Sequence, residues 1–480
     1  MDAVTSLRFF VPELILLTAA FLVLLLDLFV SNKRILSVLA LLGIVASLVS
    51  VRYPAEPLPL FFGFFVLDPL SFFFKVAGLG IVAVTLLAAL AYEPGAAEGK
   101  PGFLPYAGEF NVLFLFMAFG LILMGSSNNL LMIFLSIEFV SILSYLLTGF
   151  LKRNPRSKEA ALKYLLFGSV SSGVMLFGMS LLFGLTGAID LNLIHERLVT
   201  SAPSRGLVMT ALLFVMVGLG FKISMAPFHL WAPDVYEGAP TPVTAFLTVG
   251  PKALGFAVFL RILHTTFLPF QEEWGVLLAF LSMLTMTLGN VVAISQTNIK
   301  RLLAYSSIAQ AGYILMGLAV SNKTGVAGVL IYLIAYALTN LGAFLCVIAL
   351  SNQTGTDEID SYAGLSERSP LLAFSLTLFL LSLAGIPPLA GFIGKFYVFS
   401  SAIEGRFFTL AVVAALNSAV AAFYYFKVVR VMYLAPPLTR EPLLHSAPLL
   451  IALLVTLIGI VAVGVFPAPL IEFVERALIL

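Results

Sequence analysis

Cysteine is nearly missing from this chain: Cys346 is the only one in 480 residues. It can form no internal disulfide, and an iron–sulfur cluster is normally held by four thiolates. Neither G-x-G-x-x-G nor G-x-x-x-x-G-K-[ST] occurs, so no glycine-rich loop offers to cradle a nucleotide. The chain is therefore expected to hold no cofactor and no metal, to run no redox step and to hydrolyse no nucleotide. Charge is scarce as well. Asp, Glu, Lys and Arg make up 10% of the residues and leave a net charge of +2. With no basic cluster, nucleic acid is not an expected partner. The first thirty residues lack a cationic leader and a small-residue cleavage site, so their apolar run is expected to be a retained helix.

What fills the chain instead is apolar: 61% of residues are hydrophobic, with a mean hydropathy of +1.08. Fourteen hydrophobic spans lie between residues 12 and 467, each long enough to cross a bilayer. The expected fold class is an all-α polytopic membrane protein of about 14 transmembrane helices. Two spans are interrupted, 206–231 by Pro227 and 371–402 by Pro387 and Pro388 with Gly391 and Gly394 behind them. Proline removes a backbone donor and clashes with the preceding turn, so both helices should break. With the N-terminus outside, the loops assigned to the cytoplasm carry the larger share of Lys and Arg. An even number of spans then returns the C-terminus to the outside.

Shifting the chain by 168 residues lays Tyr164 on Tyr332, Glu138 on Ser306 and Lys222 on Ala390, and brings the two breaks into register within about two helical turns. Each unit would hold five spans. Five is odd, so the second copy should be inverted across the membrane. The expected organisation is a three-helix segment over 1–109, a first repeat over 110–265, an inverted second repeat over 266–435, and a last span in 436–480.

Four lysines fall inside hydrophobic spans: Lys75, Lys222, Lys252 and Lys395. At a helix centre each costs about 2.5–3.5 kcal/mol to insert, which argues for a purpose. Lys75 sits near the start of its span beside Asp68 and is expected to reach the interface. Lys222 and Lys395 lie in the two interrupted spans, and Lys252 follows Pro251 one span after the first. Glu138 is their acidic counterpart, and with Ser141, Tyr145 and Thr148 it makes one polar stripe on an apolar helix. A buried lysine sheds its proton more readily, and a nearby carboxylate opposes that. Glu138 and Lys222 could thus form an adjustable pair, with Lys252 and Lys395 receiving the proton in turn. His229, with an unperturbed pKa of about 6.5, could bridge sites. Fixed structural ion pairs are the lesser alternative for the same charges. The polar residues between Lys300 and Tyr313 are expected to serve mainly helix packing.

FKISMAPFHLWAPDVYEGAPTPVTAF, LAYSSIAQAGY and AGIPPLAGFIGKF together resemble the antiporter-like membrane subunits of respiratory complex I, which are similar in turn to multi-subunit sodium/proton antiporters. The resemblance runs from about Asn111 to Tyr433 and falls nearest to the version with a lysine, not a glutamate, in the second break. It implies a glutamate (Glu138) paired with Lys222, a central lysine (Lys252) and a terminal lysine (Lys395). It further implies a non-redox, proton-translocating subunit of NADH:quinone oxidoreductase in the bacterial inner membrane, partnered by other membrane-arm subunits. A subunit of a sodium/proton antiporter or of a membrane-bound hydrogenase is the alternative. A scaffold that merely fills the membrane arm is a third reading.

Overall fold

In the computed structural model, residues 2–94, 104, 106–439, 441–443 and 445–478 are described. A short α1 (Ala3–Leu7) leads into three apolar helices, α2 (Val11–Asp27), α3 (Lys33–Ser50) and α4 (Pro69–Leu90). Between α3 and α4 lies a departure from an all-helical chain, a hairpin of β1 (Leu58–Leu60) and β2 (Phe65–Leu67). Next come α5 (Ala107–Ser126), α6 (Leu130–Thr148), α7 (Pro155–Thr186), a peripheral α8 (Leu191–Thr200), α9 (Arg205–Ile223), α10 (Ala232–Gly238) and α11 (Thr241–Thr265). The second half holds α12 (Gln271–Ile294), α13 (Ile299–Val320), α14 (Lys323–Thr354), a short α15 (Leu365–Arg368), α16 (Pro370–Ala384), α17 (Ala390–Glu404) and α18 (Phe408–Leu434). α19 (Ala447–Val465) and α20 (Ala468–Glu475) close the chain. Among the described residues, twelve helices are long and apolar enough to cross a membrane. The 17-residue α2 and the interrupted pair α16–α17 add two more, which gives the fourteen crossings expected. This is a multi-pass membrane protein.

The helix ends expose the internal repeat. Asn154 caps α7 and Asn322 caps α14, each side chain accepting a first-turn N–H as Asn does at helix starts. Both helices run 32 residues and stop at a glycine in the left-handed region, Gly187 and Gly355, where a Cβ would be strained. All four positions obey the shift of 168. The bridge Asn129–Asp190 recurs as Asn298–Glu358, with Asp190 and Glu358 in register and the asparagines one residue out of step.

The two bridges lie on opposite faces. Asn129 sits with the N-terminal hairpin, through the Phe65–Ser127 bridge, and with the end of α11, where Thr266 donates to the Leu191 carbonyl. Asn298 sits with the C-terminal end of α10, where Lys300 donates to the Ala239 carbonyl. The units are therefore inverted. Both described ends of the chain share one face, since the Tyr53 hydroxyl beside α4 donates to the Arg476 carbonyl.

Both breaks form. α9 stops at Ile223 with Ser224 in the left-handed region, and Pro227 follows. α16 stops at Ala384 with Gly385 at φ +89°, and Pro388 follows. These pairs are 161 residues apart, not 168. The register slips by seven beyond α14, so Lys222 corresponds to Leu383 and not to Ala390. Lys222 precedes its break, whereas Lys395 follows its own on α17.

Candidate functional site

The break after α9 frees backbone groups that need partners at membrane depth. Trp231 supplies one: its indole N–H donates to the Phe221 carbonyl at 3.2 Å. The same ring stacks on Tyr164, centroids 4.2 Å apart. Thr285 accepts the Ala226 N–H at 3.0 Å. On the far side, Lys163 of α7 and Arg301 of α13 both bind Asp234 of α10, and Arg301 also binds Glu237. This cluster clamps the short helix between the two repeats and lines a cavity of about 280 Å³.

Lys222 occupies the last turn of α9, where free carbonyls favour a cation. It is 2% exposed, and its Nζ donates to Ser141 Oγ on α6 at 2.9 Å. Glu138, one turn earlier on α6, is half-buried and accepts from Ser172 of α7 at 2.5 Å. No ion pair within 4 Å joins Glu138 to Lys222 among the described residues. The two charges are neighbours on one helix face with Ser141 between them. Tyr145 and Thr148 of the same stripe are buried, and Gly168 of α7 leaves room for the Tyr145 hydroxyl, which has no partner.

Lys252 lies in the middle of α11, a helix buried along its whole length. Its Nζ donates to Ser307 Oγ at 2.5 Å and to the Ser307 carbonyl at 3.1 Å, and sits 5.8 Å from the Tyr236 ring centre. Lys395 meets the free end of the second break. Its Nζ donates to the Ala384 carbonyl at 2.8 Å and to Ser418 Oγ at 2.9 Å, over the Tyr313 ring at 4.6 Å. The last carbonyl of a half-helix carries negative partial charge, so this is a favourable seat for an ammonium.

His229 is buried in the loop between α9 and α10. Its Nδ1 has no partner, and it bonds to neither Lys222 nor Lys252 among the described residues. Ser224 Oγ, in the same break, is likewise unpartnered.

One sequence expectation needs correction. Lys75 does not reach the interface: it is 1% exposed and bound to Glu13 of α2 at 2.6 Å. Lys300 and Arg301 lie in the first turn of α13, and Lys300 is buried against the Ala239 carbonyl with Asp357 at 3.8 Å. The polar residues of α13 hydrogen-bond across to neighbouring helices, as expected for packing, and also to one buried lysine. Ser307 holds Lys252, Ser306 bonds Tyr425 at 2.5 Å, and Gln310 donates to Tyr425 and to the Leu383 carbonyl at the second break. Tyr332 donates back to Gln310 at 2.5 Å. Between Lys252 and Lys395 there is thus a polar track along α13. Ser306, Ser307, Gln310 and Tyr313 recur at helical spacing on an apolar helix, the signal that picked out the Glu138 stripe.

Gly385 adds a steric condition. A Cβ there would stand 2.7 Å from Lys395 Cδ, and the left-handed backbone costs a non-glycine residue about 1–2 kcal/mol. Gly385→Ala is expected to push Lys395 off the Ala384 carbonyl and slow any proton movement that uses Lys395, with Lys395 itself intact. Transport in reconstituted vesicles checks this, and wild-type rates would contradict it.

The matching family is described as NADH:quinone oxidoreductase/Mrp antiporter, transmembrane, over residues 127–421. NADH-quinone oxidoreductase subunit N of Dehalococcoides mccartyi is 42% identical, covering 98% of each chain. NAD(P)H-quinone oxidoreductase subunit 2 of a Synechococcus strain is 41% identical over 97% of this chain and 90% of its own. Among solved structures, a chain of respiratory complex I from Thermus thermophilus matches with TM-score 0.79 and 30% identity, covering 96% of this chain and 98% of that one. A chain of the Mrp complex from Dietzia matches with TM-score 0.81 at 20% identity, covering 98% of this chain and 96% of that one, a likeness of fold alone. The fold and the buried lysines define an antiporter-like membrane subunit. The chain belongs to the NADH:quinone oxidoreductase/Mrp antiporter family, in the branch of subunit N.

Proposed function

We propose that the chain is a proton-translocating membrane subunit of NADH:quinone oxidoreductase, that is, of respiratory complex I. One observation supports the relay above all. Lys222, Lys252 and Lys395 are buried on serine hydroxyls and carbonyls, with no carboxylate within ion-pair distance among the described residues. Lys75 and Lys300 do have carboxylate partners. A structural ion pair needs its counter-ion; a lysine that loads and unloads a proton works better on neutral partners. Glu138, one turn from Ser141, would bias the proton on Lys222. Loss of that bias would release the proton toward Lys252, then along Ser307, Ser306, Tyr425 and Gln310 to Lys395. Ser224 Oγ and His229 Nδ1, buried without a hydrogen-bond partner among the described residues, would be the polar atoms of the break free to bind water on that path.

Redox chemistry would belong to other subunits, with no cofactor in this chain. Segments 110–265 and 266–435 would each carry half of the relay, flanked by 1–109 and 436–480. Partners would be other membrane-arm subunits, including neighbouring antiporter-like ones, meeting the apolar faces of the bundle. The setting would be a bacterial inner membrane with both ends of the chain outside. The alternative, a subunit of a sodium/proton antiporter or a membrane-bound hydrogenase, shares the fold.

Lys222→Ala is expected to lower proton pumping and coupled quinone reduction in a complex that still assembles. Normal pumping would sink the relay. Failure to assemble would point to a structural charge, and sodium-dependent exchange without NADH oxidation to the antiporter alternative.

A further inference from the structure

A second buried ion pair lies outside the lysine row. Lys75 of α4 donates to Glu13 Oε1 of α2 at 2.6 Å, and the two residues are 1% and 0% exposed. The other carboxylate oxygen, Glu13 Oε2, is buried with no partner among the described residues. Lys75 also lines a cavity of about 20 Å³ at the face that carries the N-terminal hairpin, with Arg8, Ser50 and Arg52 around it. That volume suffices for one water.

The neighbouring pair, Asp68–Arg261, shows what a fixed strut looks like. Arg261 grips both Asp68 oxygens, at 2.7 and 3.0 Å, and Ser71 N–H adds a third bond to the carboxylate. Nothing there is left over, and arginine does not deprotonate. Glu13–Lys75 has one bond, one orphan oxygen, a lysine that can give up its proton and a water-sized void beside it. The other charged groups nearby are Arg8 and Arg52 at the mouth and Asp68–Arg261 beyond. α2, α3, α5 and α14 bring Asp27, Lys33, Arg34, Glu109 and Lys323 only at their ends, α19 is uncharged, and α11 adds Lys252 further in and His264 in its last turn.

We propose that Glu13 and Lys75 form a proton-binding site, separate from the relay, that exchanges with the face carrying the hairpin through this cavity. Lys75 passes a proton to Glu13, so an Nζ–H bond breaks and a carboxyl O–H forms. Hydronium in the cavity then re-protonates Nζ and leaves as water. The net result is one proton bound, with the carboxyl neutral and the ammonium kept.

The test is pH-difference infrared spectroscopy on the assembled, membrane-reconstituted complex. A protonated-carboxyl C=O band that grows on acidification and vanishes in Glu13→Gln is the expected result. Lys75→Met, which removes the counter-ion, should bring that band in at higher pH. Should Glu13→Gln fail to assemble, Ser50→Phe fills the cavity and leaves the pair; the band should then rise at least severalfold more slowly after a pH jump. A band unchanged by Glu13→Gln, no Lys75-sensitive band, or an unslowed rise in Ser50→Phe would each make the pair a fixed strut.

Discussion

Lys252→Met is expected to cut proton movement by roughly tenfold or more, the scale of losing a positioned proton donor, and to leave assembly and thermal unfolding close to wild type. The reasoning sets two magnitudes against each other. Methionine removes a lysine insertion penalty of about 2.5–3.5 kcal/mol at membrane depth. It also removes two charge-assisted hydrogen bonds to Ser307, each worth about 1.5–3 kcal/mol when the donor is charged. These terms are of similar size and opposite sign, and methionine fills nearly the same volume. No anion is stranded, because Lys252 has no carboxylate within ion-pair distance among the described residues. Pumping in vesicles, read beside the unfolding midpoint of the same preparation, separates the outcomes. Wild-type pumping would remove Lys252 from the relay; a collapse in assembly would make it a structural charge.

Hydropathy and proline placement made the spans and both breaks legible, because a bilayer demands long apolar runs and proline stops a helix wherever it falls. The inverted repeat was legible as a shift of 168, and the caps Asn154 and Asn322 with the stops Gly187 and Gly355 obey it. The slip to 161 at the second break was not legible, since the linker after α14 is shorter and low identity hides where the residues were lost. Charge partners were hidden for a different reason. Lys75 finds Glu13 62 residues away, and Arg261 finds Asp68 193 residues away; helical spacing carries no information about either. The α13 residues Ser306, Ser307 and Gln310 were visible as a polar stripe, but serine and glutamine also pack helices. Their contacts to Lys252 and to the Leu383 carbonyl could be seen only once the helices were in place.

Arg261→Met is expected to do the reverse of Lys252→Met, lowering stability strongly through a residue outside the relay. Arg261 is 4% exposed and binds both oxygens of Asp68 and the Gly125 carbonyl. Removing one partner of a buried, hydrogen-bonded pair leaves the other charge uncompensated, at a cost of about 3–5 kcal/mol. The pair also joins α4 to α11, the helix that carries Lys252, so its loss loosens the seat of the central lysine. Asp68→Asn combined with Arg261→Met should recover most of the stability. Asparagine keeps the α4 cap that Asp68 now makes to the Ser71 N–H and leaves no anion behind. The unfolding midpoint should fall in the single variant and return toward wild type in the double. A single variant as stable as wild type would mean that Asp68 finds water or another cation. A double variant weaker than the single would mean that the pair contributes net attraction beyond avoiding a stranded charge.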